Sequence, residues 1–371
     1  SALFITGFQC AITLHQRYCC LLPIQGVFTV SITDIRVGLL AYGAIGDEHN
    51  KAIQATPGLA LRAVCDTKPE RLTAALQISP DIQTFSDANQ MLQSGQIDLV
   101  VVSTPPNSHY AWAKAALSLG IHVMLEKPMA LTTQECDELM ALAAAKELLL
   151  VVYQNRRYDL DFLTMKHLID TDQIGEVFHY ESFVGGYAKP CGFWHSDTAV
   201  SGGAIFDWGS HFIDQIMSIV DSPVDFVSGL NQKRVWDHVT NADHAQVSIN
   251  FKDGLQAVFI NSDLAAARKP KFYVLGTKGA LTGNWDTSAG DVVADFPAII
   301  TVHQADGTSS VVPHVAVEPH SFYSSIVAYL NDATPMSVVA EQSRDVVAIM
   351  QAAEESALAN GKPVTPLLLR T

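Results

Sequence analysis

The chain has 371 residues, 48% of them hydrophobic, and a formal net charge of −15 at pH 7. This length exceeds what one compact domain usually reaches, so it predicts two domains with sizeable cores. The sequence has no cluster of Lys and Arg to neutralise phosphates and no apolar run of the ~18 residues that span a bilayer, which argues against nucleic-acid and membrane partners.

The six cysteines show neither the C-x-x-C spacing of a zinc site nor the pattern of a disulfide framework. We therefore expect no bound metal and a reducing, cytoplasmic location. Residues 1–33 differ from the rest of the chain, because Arg17 is their only charged residue and they lack a clear secretory signal. They are predicted to be an N-terminal extension of uncertain role: either upstream sequence of uncertain relevance, or a packed arm or an edge strand.

From residue 34 to residue 153, apolar strand-like runs alternate with stretches of helical pattern. Strands that are apolar on both faces and joined by helices indicate a parallel sheet, and right-handed crossovers then give a doubly wound Rossmann fold. Ligands of such α/β folds bind at the carboxyl ends of the strands. We therefore expect residues 34–153 to form a dinucleotide-binding domain.

The first of these strands runs into a glycine-containing turn, R-V-G-L-L-A-Y-G-A-I-G, from Arg36 to Gly46. The turn is close to the G-x-G-x-x-G dinucleotide fingerprint, with Ala41 at the first position and Gly43 and Gly46 at the other two. A methyl group at the first position is expected to be a mild change. The helix that follows presents its N-terminus to a pyrophosphate.

Asp66 lies twenty residues beyond Gly46, at the end of the next apolar run, where a carboxylate receives a ribose 2′-hydroxyl. A negative charge there favours NAD, while the neighbouring Lys68 leaves NADP possible. The predicted cofactor-binding residues lie in this turn and in the loops after the other strands. They are Ala41, Tyr42, Gly43, Ala44, Ile45, Gly46, Asp66, Thr67, Lys68, Ser103, Thr104, Pro105, Asn107, His109, Glu126, Lys127 and Asn155.

Residues 154–371 are predicted to form a substrate-binding and oligomerisation domain. A helix and a strand are followed by strand-like runs separated by turn signals, which indicates an α/β domain with a large, open, mostly antiparallel sheet. Two helical stretches follow near the C-terminus, and these final helices could pack back on the Rossmann domain. Asp207, His211 and Asp214 share one face of a further predicted helix and form a polar stripe.

The ordered motifs of the chain resemble those of the Gfo/Idh/MocA family of NAD(P)-dependent oxidoreductases. They are the glycine turn with His49 downstream, V-C-D, S-T-P-P-N-S-H, E-K-P and G-G-A-I-F-D-W-G-S-H-F-I-D, spread from about Ile35 to Pro363. The resemblance implies a Rossmann domain followed by an open-sheet α/β domain, with the active site between them. It also implies a homo-oligomer, either a dimer or a tetramer, since the open sheet often forms an interface in this family.

The resemblance carries the catalytic roles onto three residues: Lys127, Asp207 and His211. Lys127 of E-K-P would transfer the proton of the substrate hydroxyl, and His211, oriented by Asp207, would share that proton. The predicted substrate-binding residues combine these with neighbouring polar and aromatic side chains. They are Lys127, Arg157, Tyr187, Trp194, Asp207 and His211.

The sequence therefore predicts an oxidoreductase that moves a hydride between the nicotinamide and a ring hydroxyl or ketone of a cyclic polyol or sugar. The chain is similar to the branch of the family that carries Q-N-R-R-Y-D-L-D-F-L-T, which includes sugar and inositol dehydrogenases. Two alternatives remain open: a glycosidase-type enzyme that uses transient oxidation, and a non-catalytic NAD(P)-sensing regulator.

Overall fold

The computed structural model describes residues 34–287 and 296–370. The predicted extension, residues 1–33, lies outside the described residues. No helix of the described part is long and apolar enough to cross a membrane.

The first sheet has six strands, all parallel, in the order β3-β2-β1-β4-β5-β6. In the central strands side chains are buried on both faces, as for Val100 and Val101 on β4, because helices cover the sheet on both sides. The strand order reverses between β1 and β4, which is where doubly wound sheets bind ligands. The predicted Rossmann fold is confirmed. The strands are β1 Ile35–Leu40, β2 Leu59–Cys65, β3 Gln83–Phe85, β4 Leu99–Val102, β5 His122–Leu125 and β6 Leu150–Val152.

Five helices connect these strands. The longest, α5, begins with a capping box in which Thr132 and Glu135 satisfy each other's backbone N–H groups. The helices are α1 Gly46–Ala55, α2 Pro69–Ile78, α3 Ala88–Leu92, α4 His109–Ser118 and α5 Thr133–Ala145.

The second sheet has eight strands in the order β14-β13-β12-β11-β7-β10-β9-β8. It is mostly antiparallel, as predicted, but β7 and β10 pair in parallel, so their carboxyl ends meet at one edge of the sheet. Strand β9 alternates buried and half-buried residues, the pattern of a sheet with one face in the core. The strands are β7 Val177–Gly185, β8 Val224–Gln232, β9 His244–Phe251, β10 Gln256–Ser262, β11 Phe272–Gly276, β12 Gly279–Asn284, β13 Ile299–Gln304 and β14 Ser309–Val311.

Two helices, α8 and α10, pack on the core face of this sheet, where Ile213 and Ile349 join one cluster with Val247 and Phe259. Helix α9 lies elsewhere: its Phe322, Tyr323 and Ile326 pack in the core cluster of the first sheet. The helices of this half of the chain are α6 Leu160–Asp170, α7 Thr198–Ser201, α8 Gly209–Ile219, α9 Ser321–Asp332 and α10 Ala340–Leu358.

Candidate active site

The glycine turn joins β1 to α1 in the form that a dinucleotide needs. A Cβ on Gly43 would meet nothing within 4 Å, whereas one on Gly46 would lie 2.9 Å from the Tyr42 ring, so only glycine lets α1 approach so closely. Helix α1 has no side-chain cap among the described residues, and although the Gly46 N–H donates to Gly43 O at 3.0 Å, those of Asp47 and Glu48 are left to an anion. These features fit the pyrophosphate of NAD(P).

Ala41 departs from the expectation of a mild change. Its φ is 72°, in the left-handed region that glycine adopts freely and a residue with a Cβ adopts at a cost of roughly 1–2 kcal/mol. The conformation is held by hydrogen bonds, since Ala41 N–H donates to Cys65 O at 2.8 Å and Ser103 Oγ donates to Ala41 O at 2.8 Å. The turn therefore keeps the shape of the glycine fingerprint with a strained alanine in it.

Asp66 is buried and its carboxylate ties two turns together. Oδ2 accepts the N–H of Tyr42 at 2.8 Å, and Oδ1 accepts the N–H of Lys68 at 2.9 Å. Arg71, at the start of α2, donates to the same carboxylate at 3.2 Å and is 40% exposed. Sequence reasoning missed Arg71, although the spacing D-x-x-x-x-R at a strand end was visible. Its charge offsets the carboxylate that was expected to disfavour a 2′-phosphate.

The loop after β4 holds the predicted residues Ser103 to Asn107 beside the glycine turn. His109 behaves differently from the prediction, because its ring is fully buried. Its Nδ1 lies 2.8 Å from Pro128 O and its Nε2 lies 2.8 Å from Thr104 O. Both nitrogens contact backbone carbonyl oxygens, so His109 holds the loop after β4 against the loop after β5.

Glu126 and Lys127 follow β5 at the carboxyl edge of the sheet. Glu126 Oε1 lies 3.1 Å from His49 Nε2, and Oε2 accepts the N–H of Lys127 at 3.1 Å. Burial alone would raise the pKa of Glu126, but the hydrogen bond from His49 and the charge of Lys127 hold that pKa below its ordinary value. Glu126 is therefore a carboxylate at neutral pH.

Lys127 reaches across to the second domain, where its Nζ lies 2.6 Å from Asp207 Oδ1. Although burial opposes it, the Lys127 ammonium holds the pKa of Asp207 below its ordinary value. This pairing corrects the prediction that Asp207 orients His211. Helix α8 begins at Gly209, after Asp207, so the two residues do not share a helical face, and the Asp207 carboxylate is bound to Lys127 instead.

His211 lies within α8, and its ring is buried. Its Nδ1 has no hydrogen-bond partner among residues 34–287 and 296–370. Burial, and then the charges of Lys127 and Arg156, hold the pKa of His211 well below its ordinary value. The ring is therefore neutral at physiological pH, with one donor and one acceptor nitrogen.

The two adjacent arginines after β6 point in different directions, and the predicted one lies outside the site. Arg157 donates through Nε and Nη2 to both oxygens of Asp214 at 2.6 Å, and through Nη1 to Ser337 O at 2.8 Å. Arg157 and Asp214 line a cavity of about 280 Å³ together with Arg370. All three guanidinium nitrogens are used within the protein, so Arg157 is a structural residue. Asp214 is bound to Arg157 in the same way, so it is not part of the polar stripe that was predicted with Asp207 and His211.

Arg156, which sequence reasoning missed, lies near Asp207 and His211. Its Cζ is 5.0 Å from the centroid of Trp208, and its Nη1 pairs with Asp159 at 3.2 Å. The Trp208 ring in turn lies 6.0 Å from that of His211. Two adjacent arginines show no periodicity, so the sequence had no signal to tell which arginine points into the site.

Aromatic side chains line the outer part of the second domain. Tyr187 is 60% exposed, and its ring lies 6.0 Å from Trp236, which the prediction did not include. Trp194 stacks on His195 at 3.6 Å. Burial lowers the pKa of His195, the charge of Asp207 raises it and that of Lys127 lowers it, which places this pair of rings near the Lys127–Asp207 ion pair. Asn155 lies in the short 3-10 turn Asn155–Tyr158 directly after β6.

A Rossmann sheet with a lysine at a strand end, facing a carboxylate and a neutral histidine from a second domain, defines a nicotinamide-dependent dehydrogenase. The family model "Oxidoreductase family, NAD-binding Rossmann fold" matches residues 35–154, and "GFO/IDH/MocA C-terminal domain" matches residues 162–282. The chain belongs to the Gfo/Idh/MocA oxidoreductase family, and the resemblance drawn from the motifs is confirmed.

Individual relatives agree with this assignment. The scyllo-inositol 2-dehydrogenase (NADP(+)) IolW of Bacillus subtilis is 26% identical over 343 residues, 88% of this chain and 94% of its own length. The uncharacterized oxidoreductase YdgJ of Escherichia coli is 32% identical over 249 residues, 67% of this chain and 70% of its own. The crystal structure of an NAD-binding protein from Listeria innocua matches with a TM-score of 0.79 at 28% identity, covering 90% of this chain and 97% of that one. The protein is an NAD(P)-dependent dehydrogenase.

Proposed function

We propose that the protein oxidises a secondary ring hydroxyl of a cyclic polyol or sugar, or reduces the matching ketone. The observation that carries the proposal is the 2.6 Å contact between Lys127 Nζ and Asp207 Oδ1, beside a neutral His211. A proton-transfer group and its partner from the other domain thus meet where the carboxyl end of β5 faces α8. The name of the Bacillus subtilis relative, a scyllo-inositol 2-dehydrogenase, supports an inositol-like substrate.

Lys127 is the proposed proton-transfer residue. In the reduction direction its ammonium donates a proton to the oxygen of the ketone, and in the oxidation direction its free amine accepts the hydroxyl proton. Asp207 fixes the position of Nζ through their ion pair. Neutral His211 supplies a donor and an acceptor nitrogen, which suits a hydroxyl group that must both donate and accept.

The cofactor-binding residues proposed here are the Ala41–Gly46 turn, Asp66 with Arg71, the Ser103–Asn107 loop, Glu126 and Asn155. When bound, NAD(P) supplies the nicotinamide carbon that takes or gives the hydride. Because Arg71 offsets the charge of Asp66, we infer that the enzyme accepts NADP as well as NAD. An arginine near this position is the usual means of accommodating a 2′-phosphate.

We also propose that the protein assembles into a dimer or tetramer through the second sheet. Val258 and Ile260 on β10 form a small cluster with Phe183 on the face opposite to the core residues Ala257 and Phe259. They are themselves 7% exposed, whereas Tyr273 on β11, two strands away in the same sheet, is 38% exposed. Light scattering of the purified protein measures the assembly, and a monomer at micromolar concentration would contradict it.

The test of the function is a screen of inositols, aldoses and their ketones with both cofactors, in which absorbance of the reduced nicotinamide is followed. Activity on a cyclic polyol that is lost in Lys127→Met is the expected result. Hydrolysis of a glycoside without net cofactor reduction would instead support the glycosidase-type alternative. Tight cofactor binding without turnover of any substrate would support a regulatory role.

A further inference from the structure

Three segments that are distant in the sequence meet in a buried series of hydrogen bonds next to Lys127. His49 Nδ1 on α1 lies 2.5 Å from the hydroxyl of Tyr323 on α9, and His49 Nε2 lies 3.1 Å from Glu126 Oε1. His49 is 0% exposed and Tyr323 is 1% exposed. Buried polar groups in such positions are retained when each has its partner.

The chemistry of the three groups fixes the direction of these hydrogen bonds. A carboxylate only accepts, so His49 Nε2 donates to Glu126. We assign the ring proton to Nε2, so Nδ1 accepts the hydroxyl proton of Tyr323. The order is therefore Tyr323 to His49 to Glu126, and the second oxygen of Glu126 accepts the N–H of Lys127.

The aromatic surroundings hold this series of hydrogen bonds rigidly. The Tyr153 ring lies 4.9 Å from that of His49 and 4.9 Å from that of Phe322, which precedes Tyr323 on α9. A side chain in such a packed environment has few alternative rotamers. The orientation of the Glu126 carboxylate, and of the backbone that carries Lys127, is therefore determined by His49 and Tyr323, neither of which is among the proposed cofactor-binding or substrate-binding residues.

We propose that His49 and Tyr323 are positioning residues of the dehydrogenase. They keep Glu126 ionised and fix the orientation of its carboxylate, and so hold Lys127 in the correct position relative to the nicotinamide. The proposal rests on the proposed function for its kinetic readouts. Removing the hydroxyl of Tyr323 frees the His49 ring to turn or change tautomer, which withdraws the donor from a buried carboxylate. Glu126 then takes up a proton more easily and loses its fixed orientation.

The groups that face Glu126 come from every element packed against it, and all of them enter the pH dependence. They are His49 of α1, His109 of α4, Lys127 on its own loop, Tyr153 after β6 and Tyr323 of α9, and the charge of Glu48 on α1 acts on the two tyrosines. Among them, Tyr323 carries the hydroxyl that bonds His49, and replacement by phenylalanine removes it with little change in ring volume and none in charge. This makes Tyr323→Phe the most informative variant.

The experiment compares Tyr323→Phe with Tyr158→Phe. Tyr158 is a matched control, because its hydroxyl bonds Ser337 Oγ at 2.9 Å and its ring also packs against Phe322, but it has no link to Glu126. We expect Tyr323→Phe to lower kcat/KM about 10-fold and to move its acid limb upward by about one pH unit, the effect of one lost hydrogen bond to a charged group. Tyr158→Phe should leave both unchanged.

A double-mutant cycle tests whether the effect of Tyr323→Phe acts through the Glu126 carboxylate. In a Glu126→Gln background, Tyr323→Phe should change kcat/KM less than about 2-fold, because the group it acts on is gone. A full, additive loss in that background would overturn the proposal, as would equal losses in Tyr323→Phe and Tyr158→Phe.

Two further readouts need no substrate, so they separate failure of this proposal from failure of the proposed function. In the cofactor-free protein, the ¹⁵N resonance of His49 Nδ1 should shift in Tyr323→Phe and not in Tyr158→Phe. NADH and NADPH affinities, followed by fluorescence, should weaken in His49→Gln and in Tyr323→Phe. An unchanged His49 resonance in Tyr323→Phe would show that the hydroxyl does not bond the ring, and would overturn the proposal whatever the substrate is.

Discussion

Lys127 and Asp207 stand 80 positions apart in the sequence and share an ion pair of 2.6 Å between the two domains. Lys127 is 19% exposed and Asp207 32% exposed, so the pair lies at the wall of a cleft, neither in open solvent nor in the core. The contact therefore fixes the separation of the two halves of the site at the point where proton transfer is proposed.

The first prediction concerns Lys127→Met. A positioned acid or base contributes ~10²–10⁴-fold, so kcat should fall by about that factor while NADH affinity stays within a few-fold. Steady-state kinetics and fluorescence titration measure the two quantities. Lys114→Met is the matched control, since Lys114 is half-exposed and pairs with Glu138 on the outer surface. A kcat unchanged in Lys127→Met would remove Lys127 from the chemistry.

A second prediction separates the two adjacent arginines. Arg157→Gln leaves Asp214 buried without its partner, which should lower the free energy of unfolding by roughly 3 kcal/mol while kcat below the melting range stays near that of the parent. Arg156→Gln should do the reverse, lowering kcat/KM with little loss of stability. Urea unfolding and kinetics on both variants measure this, and exchanged phenotypes would refute the placement of the two side chains.

The cofactor preference is tested by Arg71→Gln. Loss of a charged donor to the 2′-phosphate should reduce kcat/KM with NADP about 10-fold or more while NAD is little affected. Arg62→Gln provides the control, because Arg62 is exposed on β2, the strand that leads to the same site. If Arg71→Gln leaves the ratio of NADP to NAD activity unchanged, Arg71 does not face the ribose.

The buried His211 predicts how stability depends on pH. Its pKa is lowered in the folded protein, so below about pH 6.5 the unfolded chain binds a proton that the folded one does not, and stability is lost as pH falls. Above that pH the contribution is fully present. His211→Asn should therefore show a smaller drop in Tm between about pH 7.5 and pH 5.5 than the parent protein. Equal drops in the two proteins would contradict a neutral, buried His211.

The sequence was sufficient for the two sheets because their signals are local. Five of the six strands of the first sheet are apolar runs, the exception being the short edge strand β3, and the order of motifs identified the family. The parallel pairing of β7 with β10 was not predictable in this way, since it joins strands with two others between them in the chain. Strand-like runs show only that a strand exists, and not which neighbour it pairs with.

The site residues likewise divide into those that a local motif predicts and those that depend on a contact between distant segments. Lys127 and the glycine turn lie in local motifs, but the partner of Asp207 comes from the other domain. Spacing of four residues favoured a pair of Asp207 with His211, and the start of α8 at Gly209 broke that pattern. Tyr323 had no motif of its own, because a buried tyrosine in an amphipathic helix looks like any other core residue until its partner is seen.

Helix α9 has a consequence for how the chain folds during synthesis. The strands of the first sheet leave the ribosome first, yet the face that holds Leu39 and Val101 is covered by Phe322 and Ile326, from the last sixth of the chain. Until those residues emerge, His49 lacks its tyrosine and the sheet exposes an apolar surface to other nascent chains. A fragment ending near residue 158 should consequently aggregate or recruit chaperones, so the nucleotide-binding half cannot be exchanged between relatives as a self-contained cassette without α9.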